Sequence, residues 1–165
     1  MDTIKFIIED FVDREYGIRF PSINIYINNK NLLDLIRQVE QGHGISQGVS
    51  DSAYQKSYVG LLPGYYPYFE DEFLGRVKRS HSIVLICTCL EEVCDSIVVQ
   101  VVFEPDTVIW RDITNPFFGV MSEFWVKMQE ADEADGFPID YSGIGAFVFD
   151  KIQYLDALEQ LKQSI

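Results

Sequence analysis

From Phe20 onward the chain alternates: Ile23, Ile25 and Ile27 are separated by the less apolar Asn24 and Tyr26. A period of two predicts a strand with one buried face. A shorter strand is expected over residues 3–8. Asn28-Asn29-Lys30-Asn31 is turn chemistry, and Asn31 is placed to cap a helix, with Asp34 three residues on in a weaker form of the capping box. Leu32, Leu33, Leu35, Ile36 and Val39 then fall at helical spacing, and Gly42 is expected to end that helix. Residues 41–52 hold three glycines and no clear period, which predicts a loop.

The period changes again in the middle of the chain. Ile83–Cys89 and Ile97–Phe103 are β-branched runs that predict an antiparallel pair, with residues 90–96 between them. Thr107–Trp110 supplies a third strand after the turn at Glu104-Pro105-Asp106, giving a central meander. Val120–Ala131 places Met121, Phe124, Trp125 and Met128 three or four apart, favouring a helix, with a strand as the competing reading. Gly145–Phe149 predicts a short strand, and Asp150 is placed to cap a last helix with Ile152, Leu155, Leu158 and Leu161 on its apolar face, helped by Tyr154. Together these elements predict an α+β fold: a mainly antiparallel sheet with a central meander and N- and C-terminal helices packed against it. Residues 1–165 read as one domain, because the strand–helix piece before Gly42–Ser52 is too small to bury a core alone.

Composition narrows the classes of partner. The net charge is -13, from 26 acidic and 13 basic residues. A phosphate backbone or an anionic membrane surface calls for the opposite sign, so neither nucleic acid nor membrane is expected. A basic protein partner fits the charge, as does simple solubility. No run approaches the roughly 18 apolar residues that span a bilayer, and Asp2, Glu9 and Asp10 do not suit a signal peptide. The cytoplasm is the expected compartment. Oligomeric state leaves no signature in the sequence.

The strongest hint of chemistry is the cysteine group Cys87, Cys89 and Cys94; the chain has three cysteines in all. On a regular strand Cys87 and Cys89 share a face with Leu85 and Ile83, while Cys94 lies in the acidic connection with Glu91, Glu92 and Asp95. The reading that asks least is structural, since a cysteine without a disulfide packs as a small hydrophobe. A zinc site is the metal alternative, with Cys87, Cys89 and Cys94 completed by His43 from the glycine-containing loop. His81 is excluded from that set, because six extended residues carry it about 20 Å from Cys87. Thiol redox chemistry would pair Cys89 with Cys94, but neighbouring carboxylates disfavour a reactive thiolate. A cysteine nucleophile needs a nearby base, and no histidine is near in sequence. No cofactor other than zinc is suggested.

Residues 58–69 are a second candidate. Tyr58, Tyr65, Tyr66, Tyr68 and Phe69 are interleaved with Pro63, Gly64 and Pro67. The prolines exclude a regular helix. An ordered loop over the core is one reading, and an aromatic interaction surface is the other. Acidic runs at residues 70–72 and 132–135 read as solvated surface, lacking the ligand spacing of a calcium loop.

Four segments carry a family resemblance: residues 25–40, 85–94, 108–113 and 143–158. Their order resembles a set of small, functionally uncharacterised bacterial proteins. These have a strand–helix start, a cysteine-rich hairpin, a tryptophan strand and a closing Phe-Asp helix signature. The resemblance implies that the segments belong to one domain, and it implies no particular reaction. This chain has Leu90, Val93 and Asp95 where that family often has glycine, glycine and an aromatic residue. The resemblance therefore does not carry over a glycine-shaped metal knuckle. An acidic binding or protein-interaction domain, non-enzymatic, is the leading expectation; a metal-binding or thiol-redox protein using the cysteines is the alternative.

Overall fold

The computed structural model describes residues 1–12, 17–46, 58–64, 66–88, 96–116 and 139–165, with the backbone alone for 43–46. The expected helix over Val120–Ala131 lies outside these residues, as do Tyr65, Cys89, Cys94 and the side chain of His43.

The fold is α+β and its strand ladders are antiparallel. β1 (Ile4–Val12) pairs along its length with β2 (Arg19–Ile27). Asn28 and Asn29, at φ of 52° and 65°, turn β2 tightly into β3 (Lys30–Asn31). Successive left-handed residues are what a tight hairpin requires, and asparagine tolerates them better than most. Asn31 Oδ1 accepts from the Leu33 amide at 2.9 Å, so the expected cap on α1 (Leu32–Ser46) forms. Asp34 instead pairs with Arg37 at 3.6 Å.

α1 does not stop at Gly42 but continues through Gly44 to Ser46. A glycine inside a helix costs about 1 kcal/mol, which is less than tertiary packing supplies once Leu32 and Ile36 are buried.

The second sheet is a curled meander, ordered β4 (Tyr58–Gly60), β5 (Ser82–Cys87), β6 (Ser96–Phe103), β7 (Thr107–Thr114) and β8 (Phe147–Asp150). The central β5–β6–β7 meander matches the sequence pattern. Residues 58–60 form a strand instead of the expected loop, and a short helix, α2 (Phe69–Phe73), follows the prolines. An irregularity between Ile83 and Leu85 interrupts β5, so strict alternation does not extend from Cys87 back to Ile83.

The two sheets meet at both edges of the larger one. Ile23 bridges to Leu61 on one side and Asp2 to Phe149 on the other. The Ile23 amide donates to the Leu61 carbonyl at 2.8 Å, and the Asp2 amide to the Val148 carbonyl at 2.9 Å. Asp2 adds a side-chain latch: its carboxylate accepts from Asn28 Nδ2 and from the Val148 amide, each at 2.8 Å.

α3 (Lys151–Gln163) follows β8 directly, and Asp150 Oδ1 caps it by accepting from the Gln153 amide at 3.0 Å. Its buried face is Tyr154, Ala157, Leu158 and Leu161. Leu158, Leu161 and Tyr154 lie on the expected face, and the correction concerns Ile152 and Leu155, which are 71% and 39% exposed. The step 154–157–158–161 follows one helical stripe, and Ile152 and Leu155 lie off it. Tyr154 sits at the centre of a ring cluster with Phe6, Phe103, Trp110 and Phe149, at centroid separations of 5.6–6.2 Å. Each fully buried large side chain of this kind contributes about 1.5–3 kcal/mol. Among the described residues no helix is long and apolar enough to cross a membrane.

Gly60 sets the approach of the sheets. A Cβ there would lie 2.0 Å from the Ile23 carbonyl oxygen, whereas one at Gly143 meets nothing within 4 Å. Gly60→Ala is therefore expected to lower unfolding free energy in urea by about 1–3 kcal/mol, with Gly143→Ala causing a much smaller change. Equal stability of the two variants would refute the close approach.

Asp2 gives a pH test. Its bonds from Asn28 and Val148 hold its carboxyl below the ordinary value of 3.8. A depressed folded-state value means stability that is present above 3.8 and lost as pH falls through the folded value. The melting-temperature gap between wild type and Asp2→Asn should narrow on acidification below that point.

Candidate functional site

Of the candidate residues, Cys87 and the aromatic segment meet at one point in the larger sheet. Cys87 ends β5, half-buried, with Tyr58 as its cross-strand partner. No group of three or more histidine, cysteine, aspartate or glutamate side chains able to hold a metal occurs among the described residues. Cys89, Cys94 and His43, the rest of the proposed zinc set, fall outside the described side chains. The aromatic segment divides by environment. Tyr58 and Phe69 are buried, Tyr66 is half-buried, and Tyr68 is 72% exposed.

Tyr58 belongs to a buried polar cluster. Glu40, fully buried, accepts from the Tyr58 and Tyr141 hydroxyls at 2.7 Å each, both on Oε2. Asn115 Nδ2 donates to the Tyr58 oxygen at 3.0 Å. The cluster joins α1 to β4, to the residue after β7 and to the segment before the 3-10 turn at Ser142–Ile144. Burial above all, then Tyr141 and Glu40, push the Tyr58 hydroxyl far above its ordinary value, keeping it protonated and a donor. Glu40 escaped the sequence reading, although a signal was present. It continues the Leu32–Ile36 step by four, so a carboxylate stands on the buried stripe of α1.

Glu72 is a second buried carboxylate. Its Oε2 accepts from the Ile83 amide at 2.8 Å, and its Oε1 from Tyr66 at 3.2 Å and from Arg79. It fastens α2 to the start of β5. Both carboxylates are enclosed by the groups that bond them, so their evident work is structural.

His81 is oriented by partners from two elements. Its Nε2 lies 2.7 Å from Asp112 Oδ2, and its Nδ1 lies 2.8 Å from Ser80 Oγ. Asp112 reaches this position from a left-handed backbone, at φ of 53°, where an extra residue interrupts the β6–β7 register. The residue types match a hydrolytic triad. Their setting does not: the Asp112 side chain is 66% exposed, and nucleophile activation relies on an enclosed, preorganised environment.

A cleft of about 630 Å³ lies between β1 and α3. Ile7 and Ile152 give it exposed aliphatic surface, Asp150 and Asp156 line it with carboxylates, and Gln153 and Gln160 complete the helix side. Here the off-stripe Ile152 has a setting: it faces the cleft instead of the core.

The buried cluster yields a direct test. Tyr58→Phe removes one donor from Glu40 and the acceptor of Asn115. Leaving buried polar groups unsatisfied costs about 1–3 kcal/mol, measurable by urea unfolding. Tyr58→Phe and Tyr141→Phe should be non-additive, because both hydroxyls bond one oxygen; strictly additive losses would refute their coupling through Glu40. Compared with protein-family models, curated proteins and solved structures, the chain has no match.

Proposed function

We propose that this protein is a non-enzymatic binding domain whose β1–α3 cleft holds a basic protein segment with aliphatic anchors. The carrying observation is the combination of exposed Ile7 and Ile152 with Asp150 and Asp156 in one cleft. Aliphatic surface supplies affinity by desolvation, and carboxylates at its margin favour a cationic partner by charge complementarity. The net charge of -13 acts in the same direction at longer range.

Lys162 is engaged by Glu70 at 3.1 Å and Glu159 at 3.6 Å. Lys5, which donates to Asn29 at 3.3 Å, also lines the cleft, so two carboxylates stand there against one ammonium. The exposed His81–Asp112 pair is served by the same reading as an oriented surface group, with no reaction assigned to it.

An end-blocked peptide of alternating lysine and valine should bind the protein in a fluorescence-anisotropy titration, while a glutamate–valine peptide should not. Raising the salt concentration should weaken the complex. Combined Ile152→Asp and Asp156→Lys substitutions should reduce affinity by about tenfold, equivalent to roughly 1.4 kcal/mol. Binding that ignores peptide charge and both substitutions would overturn the proposal.

A further inference from the structure

Acidic residues outnumber basic ones 26 to 13, and two hollows of the surface follow that balance. Asp150 and Asp156 line the β1–α3 cleft, and Asp112 and Asp140 line a hollow at the end of β7. A third pocket reverses the sign. It has a volume of about 370 Å³ and lies between α1, the β2–β3 hairpin and the chain running from the 3-10 turn into β8. Lys30 is its charged group, and among the described residues lining it there is no carboxylate. The ion pairs among the described residues do not use Lys30.

The walls are aliphatic and aromatic. Leu35, Gln38 and Val39 lie three and four positions apart, on a flank of α1 beside its buried stripe. Ile144 of the 3-10 turn and Phe147 of β8 add further apolar surface. Leu35, Val39, Ile144 and Phe147 are all half-buried, so each keeps apolar area outside the core.

These walls are held from behind. Glu40, next to Val39, accepts from the Tyr141 hydroxyl at 2.7 Å, which ties α1 to the chain entering the 3-10 turn. The Ile144 amide donates to the Tyr141 carbonyl at 3.0 Å, so the turn hangs on the same residue. The Phe147 ring stacks on Phe149, which is fully buried, at 6.3 Å. On the hairpin side, Asn28 accepts from the Thr3 amide at 2.9 Å and donates to Asp2 at 2.8 Å. A pocket whose walls are already fixed has less ordering cost to meet on binding.

We infer that this pocket binds a small aliphatic monocarboxylate. The hydrocarbon chain lies against Leu35, Val39, Ile144 and Phe147, and the carboxylate meets the Lys30 ammonium and the Gln38 amide. Desolvation of the chain supplies affinity, and the few polar groups fix its direction. The volume is that of about twelve waters at roughly 30 Å³ each, which suits a medium-length chain. A single charge suits the setting too, since the net charge of -13 opposes a multivalent anion more strongly. The pocket shares no lining residue with the β1–α3 cleft, so this inference stands apart from the proposed peptide binding.

The test follows backbone amide resonances of the full chain during titration with octanoate. Acetate serves as the head group alone, and octylammonium as the same chain with opposite charge. Octanoate should give saturable shifts at Leu35, Gln38, Val39, Ile144 and Phe147, which neither comparator reproduces. Lys30→Gln should weaken octanoate about fivefold, the scale of a partly exposed ion pair. Lys30→Glu should exchange the preference, so that octylammonium binds more tightly than octanoate. Lys30 is exposed on the hairpin, so neither substitution disturbs the core. No saturable octanoate binding, unchanged affinity in Lys30→Gln, or shifts at Ile7 and Ile152 instead would each overturn the site.

Discussion

The Tyr154 hydroxyl occupies the place where three separately folded pieces of chain must agree. It accepts from Trp110 Nε1 at 3.0 Å and donates to the Phe73 carbonyl at 2.6 Å. One oxygen thereby joins α3 to β7 and to the end of α2. Its ring fills the space between Phe6 of the small sheet and Phe149 of the large one. Burial raises the hydroxyl well above its ordinary value, so it remains a donor. A phenylalanine would preserve most of the volume, but it would leave the indole N–H and a backbone carbonyl without this partner. Packing alone does not specify such a junction; the directions of the two hydrogen bonds do.

An acidic chain makes further use of its acids inside. Glu40 gathers hydroxyls from two distant segments, and Glu72 gathers a backbone amide, a hydroxyl and a guanidinium. Both are buried residues surrounded by donors. Such sites resemble catalytic carboxylates in composition, but access distinguishes them. Asp150 and Asp156 at the β1–α3 cleft are instead exposed.

Much of the architecture was legible because it depends on local periodicity. The β2 alternation, the Asn31 cap, the β5–β6–β7 run and the Asp150 cap each concern residues a few positions apart. Gly42 and Ile152 show where local reasoning stops. A helix passes through the first because the preceding turns are anchored, and the second leaves the core because Tyr154 fixes the rotation of α3. The candidate site was less legible. Ile7 and Ile152 are far apart in sequence and are joined only by the packing of α3 on β1. The tie between His81 and Asp112 likewise depends on an extra residue in β7, which no periodicity announces.

Because the Gln153 amide occupies both backbone groups of Ile4, α3 holds β1 in one register. A slip of β1 by one residue would break both bonds and exchange the side chains presented to the two faces. The helix therefore sets a reading frame for the small sheet, in which Ile4 and Phe6 stay inside while Lys5 and Ile7 stay outside.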